Sequence, residues 1–215
     1  RHGRSDDGAQ QRKEAVEGGR RQRSRATRCA GGGGGSGSST GGAPAPTVVK
    51  PQSDAEAARF LLQASLSAST ATIEAVRSEG YLPWLNRQMS AANDQSGREF
   101  LAARGYDRVD ANRFYDGFVT GDYMAWSQFL AGGNAVRKRM AFALSQFFVV
   151  GLSGLNLTWR GPAIAEYWDI LNRNAFGNFR DLLQDITLNP AMGSFLNTRG
   201  NRRADNSGRV PDENY

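Results

Sequence analysis

A polar stretch near the end of the sequence contains the residues best suited to hold a ligand. Its amide and carboxylate side chains offer oxygen atoms of the kind that calcium or magnesium accepts. Its arginines can form forked hydrogen bonds with a carboxylate, phosphate or sulfate. The candidate ligand-binding residues are Asn197, Arg199, Asn201, Arg202, Asp212, Glu213 and Asn214. A divalent cation is thus one ligand that the stretch would suit, and the sequence indicates no specific cofactor.

The same stretch can also be interpreted as a structural loop. Its spacing does not match the twelve-residue calcium loop, in which ligands alternate and a glycine takes the sixth position. Asn206-Ser207-Gly208 predicts a turn, and Asp212 and Glu213 are suited to begin a helix by capping its first amides. A structural loop, a ligand- or metal-binding loop and a catalytic loop therefore all remain open.

Histidine and cysteine are nearly missing from the sequence, which excludes several common chemistries. The chain has one histidine, His2, and one cysteine, Cys29, both near its start. Nucleophilic triads need an imidazole beside the nucleophile, and structural zinc sites need several thiolates or imidazoles. No disulfide can form within the chain. We expect neither a hydrolytic triad nor a histidine metal site in residues 53–215.

Two carboxylate pairs lie at helical spacing. Glu166 with Asp169, and Asp181 with Asp185, are three and four residues apart, so each pair shares one helix face. Such pairs can divide acid and base roles when their pKa values differ. Solvated helix faces are the interpretation that we favour for both pairs.

Four tryptophans raise the question of a sugar-stacking surface. Trp84, Trp126 and Trp168 lie within helical apolar patterns, whereas Trp159 lies in a predicted loop. Large aromatic side chains at such positions usually pack in the core. We therefore predict that Trp84, Trp126 and Trp168 are core residues.

The first 52 residues differ in composition from the rest. Residues 1–29 carry nine Arg or Lys and four Asp or Glu, and the Gly/Ser/Pro-rich stretch 31–47 follows them. We predict a disordered, basic, Gly-rich arm with its linker over residues 1–52, and a helical domain over residues 53–215. The arm has no aromatic residue that could stack on bases, and we expect no nucleic-acid partner.

Cys29 is a candidate lipidation site. A cysteine followed by a Gly/Ser linker resembles the start of a mature bacterial lipoprotein, although the preceding Ala26-Thr27-Arg28 is not the small, aliphatic sequence that this signal requires. No apolar run of signal-peptide length lies nearby. A lipid anchor therefore stays an alternative.

From Ser53 onwards the pattern is helical. Ser53 and Glu56 form a predicted capping box, and residues 91–110 are predicted to contain part of a helix and a loop. Further helices are predicted at 70–79, 82–90, 110–118, 122–131, 134–150, 161–175 and 177–188, and a final short turn at 190–196. Alternation with period two is missing. The predicted fold class is all-α, an irregular multi-helix bundle.

The segment 134–150 has the clearest helical periodicity. Its predicted inward residues are Val136, Met140, Ala143, Leu144, Phe147 and Phe148; those of 177–188 are Phe179, Leu182, Leu183 and Ile186. Residues 140–159 carry no charge, but polar residues and glycines interrupt them. A membrane span needs about 20 predominantly apolar residues, so we predict a core helix and no transmembrane helix.

Five separated blocks, in order, resemble the bacterial domain-of-unknown-function 1800 family. This resemblance covers residues 55–215 and corresponds to the N-terminal part of the family. The blocks are AARFLLQASLSAS (57–69), GYLPWLNRQM (80–89), RKRMAFALSQFFVV (137–150), YWDILNRNAFGNFRDLLQDITLNPAMGSFLN (167–197) and GRVPDENY (208–215).

The resemblance implies a helical protein of the periplasm or cell envelope, acting with an exported sulfatase-like partner. Family members usually continue past the last block, which predicts a longer natural chain, and commonly have a histidine where this sequence has Asn189. We expect an exported or envelope-associated binding or assembly module. The alternative is a metal-dependent or hydrolase-like enzyme whose site is completed beyond residue 215.

Overall fold

The structure is a computed structural model that describes residues 47–108, 119–130 and 133–213. In these ranges its regular secondary structure is entirely helical. All of the described residues lie in one compact unit, Ala45–Tyr215. The α-helices are α1 (Asp54–Ala64), α2 (Thr70–Glu79), α3 (Tyr81–Ser90), α4 (Gly97–Ala103), α5 (Val119–Leu130), α6 (Ala135–Ser145), α7 (Arg160–Arg173), α8 (Phe179–Thr187) and α9 (Pro190–Phe195), with a 3₁₀ turn at Leu152–Gly154. The predicted all-α class is confirmed. Residues 1–46 of the predicted arm and the predicted helix at 110–118 lie outside the described residues.

Serine caps fix where three helices begin. Ser53 accepts a hydrogen bond from the Glu56 amide at 3.2 Å, as predicted for α1. Ser69 caps α2 and Ser96 caps α4, each within a complete capping box. In a complete capping box at α1 the Glu56 carboxylate would accept from the Ser53 amide. Here it accepts instead from the Gln52 amide, at 2.9 Å. Capping side chains satisfy amides that have no partner within the helix, so short polar motifs set these boundaries.

The first three helices form a small core of their own with one residue of α6. The buried apolar residues of this core are Ala57, Leu61, Val76, Trp84 and Val136. The Phe60 ring packs edge-on against Tyr81 and Trp84, with centroids 4.9 and 5.6 Å apart. Edge-to-face geometry is preferred by aromatic rings.

Helix α7 is the centre of the larger core. It packs against α4, α5, α6, α8 and α9. Ala165, Trp168 and Leu171 are buried on it, and burial of a large apolar side chain contributes about 1.5–3 kcal/mol. The prediction that Trp84 and Trp168 are core residues is confirmed, since they are 2% and 6% exposed. The prediction for Trp126 was wrong, because 63% of that residue is exposed on α5.

Helix α6 is shorter than predicted, and its buried face is rotated. It ends at Ser145, and the chain then turns, with the Phe148 amide donating to the Leu144 carbonyl at 3.0 Å. Met140, Ala143 and Phe147 are exposed rather than inward. The buried face runs instead through Asn134, Lys138 and Ala141. Apolar periodicity therefore predicted the helix but not its orientation, because a buried lysine occupies the inward position.

Helix α8 also presents apolar residues to solvent. Leu182 and Ile186 are buried as predicted, whereas Phe179 and Leu183 are exposed. Within the described ranges, no helix has both the length and the apolar character needed to cross a bilayer.

Candidate functional site

The structure brings three of the predicted ligand-binding residues together. Asn197 donates from Nδ2 to Oδ2 of Asp212 at 2.8 Å, and Asn201 donates from Nδ2 to the Asp212 carbonyl at 2.6 Å. The Asp212 amide in turn donates to Oδ1 of Asn201 at 3.1 Å. The Nδ2 donors of both asparagines and the Oδ1 acceptor of Asn201 are thus used within the cluster, which closes the loop 197–213 on itself.

Asn197 also terminates α9. Its φ of 56° is left-handed, a conformation that Asn tolerates better than most residues. The Arg199 amide then donates to the Gly193 carbonyl at 2.8 Å, and the Arg199 guanidinium donates from Nη1 to the Asn156 carbonyl at 2.9 Å. The backbone and the side chain of Arg199 are both held in place.

The predicted turn at Asn206-Ser207-Gly208 is present. Asp205 organises it, because its Oδ1 accepts from the Ser207 amide at 3.0 Å, from the Ser207 hydroxyl at 2.6 Å and from the Arg209 amide at 3.2 Å. These hydrogen bonds favour the ionised form of Asp205 and hold its pKa below the usual value. The bond from the Ser207 hydroxyl has the largest effect. Gly208 has a φ of 86°.

The remaining predicted site residues are spread along the surface or lie outside the described ranges. Arg202 and Glu213 are exposed, and Asn214 and Cys29 are outside the described residues. The described part of the chain contains no group of three His, Cys, Asp or Glu side chains placed to hold a metal ion. Binding of a divalent cation here stays a prediction.

Asn189, where the family resemblance implies a histidine, is a helix cap. Its Oδ1 accepts from the Ala191 amide at 2.9 Å and from the Met192 amide at 3.3 Å, at the start of α9. The residue is buried. In this chain the position therefore orders the turn that leads into the loop 197–213.

The two predicted carboxylate pairs differ in environment. Asp169 is buried and accepts from the Gly97 and Arg98 amides at 2.6 and 2.9 Å, so it caps α4 from another helix. Burial raises the pKa of Asp169. Its partner Glu166 is partly exposed, 4.0 Å from Arg173. The prediction of a solvated face was therefore wrong for Asp169.

The second pair, Asp181 and Asp185, is closer to the predicted solvated helix face than the first pair is. Asp181 is exposed, and Asp185 is partly exposed. Asp185 accepts from Nδ2 of Asn174 at 3.0 Å and lies 3.7 Å from Arg173. Its contacts join α8 to the end of α7.

Sequence reasoning missed a polar network beneath residues 91–97. Lys138, 2% exposed, donates from Nζ to Oδ2 of Asp94 at 2.6 Å. Asn134 donates to the Ala92 carbonyl at 2.5 Å, and Gln128 to the Gln95 carbonyl at 3.1 Å. The spacing of Asn134, Lys138 and Ala141 on one face of α6 was the sequence signal for it. These buried groups serve to position the loop.

An apolar groove lies where the chain leaves α6 and meets α8 and α9. Its volume is about 580 Å³. We define the apolar groove by its lining residues, Phe147, Phe148, Val149, Leu183, Ile186, Thr187, Met192, Phe195 and Leu196. Phe147 is 83% exposed at its edge, and the Phe179 ring lies 6.1 Å from that of Phe148.

The groove is distinguished by its lack of charge. Eight of its nine lining residues are apolar and the ninth is a threonine. Contiguous exposed apolar surfaces commonly mark interaction sites, because water contact with them is unfavourable. The residues that sequence periodicity had placed in the core, Phe147 and Leu183, therefore lie on a candidate binding surface.

Comparison with known proteins gives a family and no further relative. A family model described as "Protein of unknown function (DUF1800)" matches residues 59–215, which confirms the resemblance. No curated protein and no solved structure matches the chain.

Proposed function

The chain belongs to the DUF1800 family, and we propose that it is a binding or assembly module of the bacterial cell envelope, holding an apolar helix face of an exported partner protein in the apolar groove. The observation that carries this proposal is the groove itself, which leaves Phe147, Val149 and Leu183 exposed to water. Polar residues elsewhere are largely used to hold the fold.

The lining of the groove argues for the chemistry of its occupant. No charged side chain lines it, so a charged segment would lose solvation there without gaining a counter-ion. An amphipathic helix can place its apolar stripe in such a groove while its polar face stays in water. Residues 1–46 do not supply such a stripe, since Val16 is their one large aliphatic residue. We take the occupant to be a helix from another protein.

Our choice of partner rests on what the family resemblance implies. Relatives are often encoded beside an exported sulfatase-like family, and we take a sulfatase-like protein of the same cell as the partner.

Cys29, followed by the Gly/Ser-rich residues 31–47, is the lipid attachment point that would keep the complex at the membrane surface. Mass spectrometry of the chain from a membrane fraction would detect a diacylglyceryl adduct on Cys29, and an unmodified thiol there would contradict the anchor.

The partner is tested by calorimetry with the purified sulfatase-like protein. Leu183→Glu and Phe147→Glu place a carboxylate in the groove at exposed positions, so both variants should stay folded. Leu82→Glu is the matched control, because Leu82 is 64% exposed on α3, away from the groove. We expect each groove variant to weaken binding by about tenfold or more, and the control to bind as the unchanged chain does.

Three results would contradict the proposal. The first is an absence of binding to the sulfatase-like protein, and the second is equal binding by the groove variants and the control. The third is self-association in sedimentation experiments that Phe147→Glu abolishes, because a second copy would then be the occupant.

A further inference from the structure

The molecule has a second concave surface, whose lining shares no residue with the apolar groove. It is formed by the start of α4, the segment before α7, the first turns of α7 and the region around α9, and its volume is about 450 Å³. We call it the two-arginine cavity. The residues that decide its chemistry are Arg98, Trp159, Pro162, Glu166, Pro190 and Arg199.

Two guanidinium groups from distant parts of the chain line this cavity. Arg98 belongs to α4 and Arg199 follows α9, whereas Glu166 is the one acid in the lining. The lining therefore carries a net charge of +1, from two arginines and one glutamate. Cations brought to one cavity repel each other unless an anion lies between them.

The two arginines are held in different ways. The Arg199 guanidinium is fixed by its bond to the Asn156 carbonyl at 2.9 Å. The Arg98 backbone is fixed by the 2.9 Å bond from its amide to buried Asp169. Within the described residues the Arg98 guanidinium forms no hydrogen bond or ion pair, so it remains able to bind a ligand. An ordered donor such as the Arg199 guanidinium loses less entropy when a ligand binds.

The rest of the lining is apolar and partly aromatic. Trp159, Pro162 and Pro190 form this part, together with Leu157 and Ala163. Flat rings and prolines pack well against a planar organic group, and ligand sites typically combine such walls with a few polar groups.

We propose that the two-arginine cavity binds a small organic carboxylate whose body is planar and apolar. Arg98 and Arg199 hold the carboxylate through charge-assisted hydrogen bonds. Trp159 and the prolines pack against the body, and Glu166 opposes the anion. This site is separate from the apolar groove and does not depend on the proposed partner.

Benzoate is the probe, and benzamide is its neutral counterpart of nearly the same shape. Calorimetry on the full chain should show benzoate binding and at least about tenfold weaker binding of benzamide, because the benefit of the two guanidinium groups is lost. Acetate, which has the charge without the ring, should also bind more weakly. Equal affinity for benzoate and benzamide, or no heat from benzoate at millimolar concentration, would overturn the proposal.

Variants locate the site. Arg98→Ala and Arg199→Ala should each weaken benzoate binding by about tenfold or more. Arg180→Ala is the matched control, an exposed arginine on α8 that does not line the cavity. Equal effects of all three substitutions would show a non-specific charge effect and contradict the site.

Glu166→Gln separates a direct effect on benzoate binding from a loss of folding. It removes a negative charge from the lining, so benzoate should bind several times more tightly, whereas a folding defect would weaken binding. Unchanged or weaker binding in a folded Glu166→Gln chain would contradict the proposal. Phe147→Glu should leave benzoate binding unchanged, which separates this test from that of the groove.

Discussion

Residues 94–98 and 205–209 share the pattern Asp-x-Ser-Gly-Arg but are held in different ways. In the first copy, Asp94 pairs with buried Lys138 and the Gly97 and Arg98 amides donate to buried Asp169. In the second, the Asp205 side chain accepts from Ser207 and Arg209 of its own turn.

The difference shows that a local pattern does not determine what holds a polar loop. The first copy depends on side chains that are distant in sequence and lie within the core. The second is stabilised by contacts within five residues. Substitutions at matched positions should therefore reduce the free energy of unfolding much more in the first copy than in the second.

The largest difference is expected for the two aspartates. Asp94→Ala removes a carboxylate partner of a buried ammonium group and should reduce the free energy of unfolding by about 2–4 kcal/mol. Asp205→Ala affects an exposed turn and should cause a much smaller loss. Urea unfolding of both variants measures the comparison, and similar losses would contradict it. Adding Lys138→Met to Asp94→Ala should recover part of the loss, since the double variant has no buried ammonium group at position 138.

The next largest effects are expected for substitutions of the two glycines. Gly97→Ala and Gly208→Ala should each reduce stability, but for different reasons. A Cβ on Gly97 would lie 2.9 Å from Sδ of Met124 and 3.2 Å from Oδ1 of Asp169, so Gly97→Ala should cost about 1–3 kcal/mol by overpacking. Gly208 has open space, and its constraint is a φ of 86°. Gly208→Asn should therefore be tolerated better than Gly208→Ala, because Asn adopts positive φ more readily.

The control for this prediction is the same exchange at the first copy. Gly97→Asn should be no better than Gly97→Ala, because the obstacle there is space. If asparagine improved stability relative to alanine at both positions in thermal unfolding, the two glycines would not differ as proposed.

A smaller difference is expected for the serines. Ser96 caps α4, accepting from the Glu99 amide at 3.1 Å, so Ser96→Ala should cost about 1 kcal/mol. Ser207→Ala removes a surface hydrogen bond and should change stability by less than about 0.5 kcal/mol. Chemical unfolding would detect the difference, and a larger loss for Ser207→Ala would contradict it.

The smallest expected effect is on how the free energy of unfolding depends on pH. Asp169, which holds the first copy, and Asp205, which holds the second, should contribute with opposite signs. Burial raises the folded pKa of Asp169 above its unfolded value near 3.8, so the folded state holds more protons between these values. Its contribution to stability therefore falls as pH rises through that window. The folded pKa of Asp205 is lowered, so its stabilising contribution is lost as pH falls below about 3.8.

Asp169→Asn and Asp205→Asn test these signs. Unfolding free energies measured from about pH 3 to 6 should lose the downward slope in the first variant and the upward slope in the second. The slope is the readout, because asparagine at position 169 also replaces one acceptor by a donor. A wild-type slope retained in Asp169→Asn would contradict the assignment.

The sequence by itself determined the approximate positions of most of the described helices and several of their starts. The predicted helix at 70–79 matches α2, and serine caps place the starts of α1, α2 and α4, because capping and periodicity involve residues a few positions apart. The turn at 206–208 could be predicted for the same reason. The family, too, could be identified from the sequence.

Tertiary structure alone decided which surfaces are buried and which remain available. The bond from the Gly97 amide to Asp169 joins residues 72 positions apart, and no local pattern encodes such a pairing. The same packing buries Lys138 and leaves Phe147 exposed, which reverses what hydrophobicity predicts for each. Burial depends on which helices meet, so the candidate binding surfaces could be recognised only after the helices were placed together.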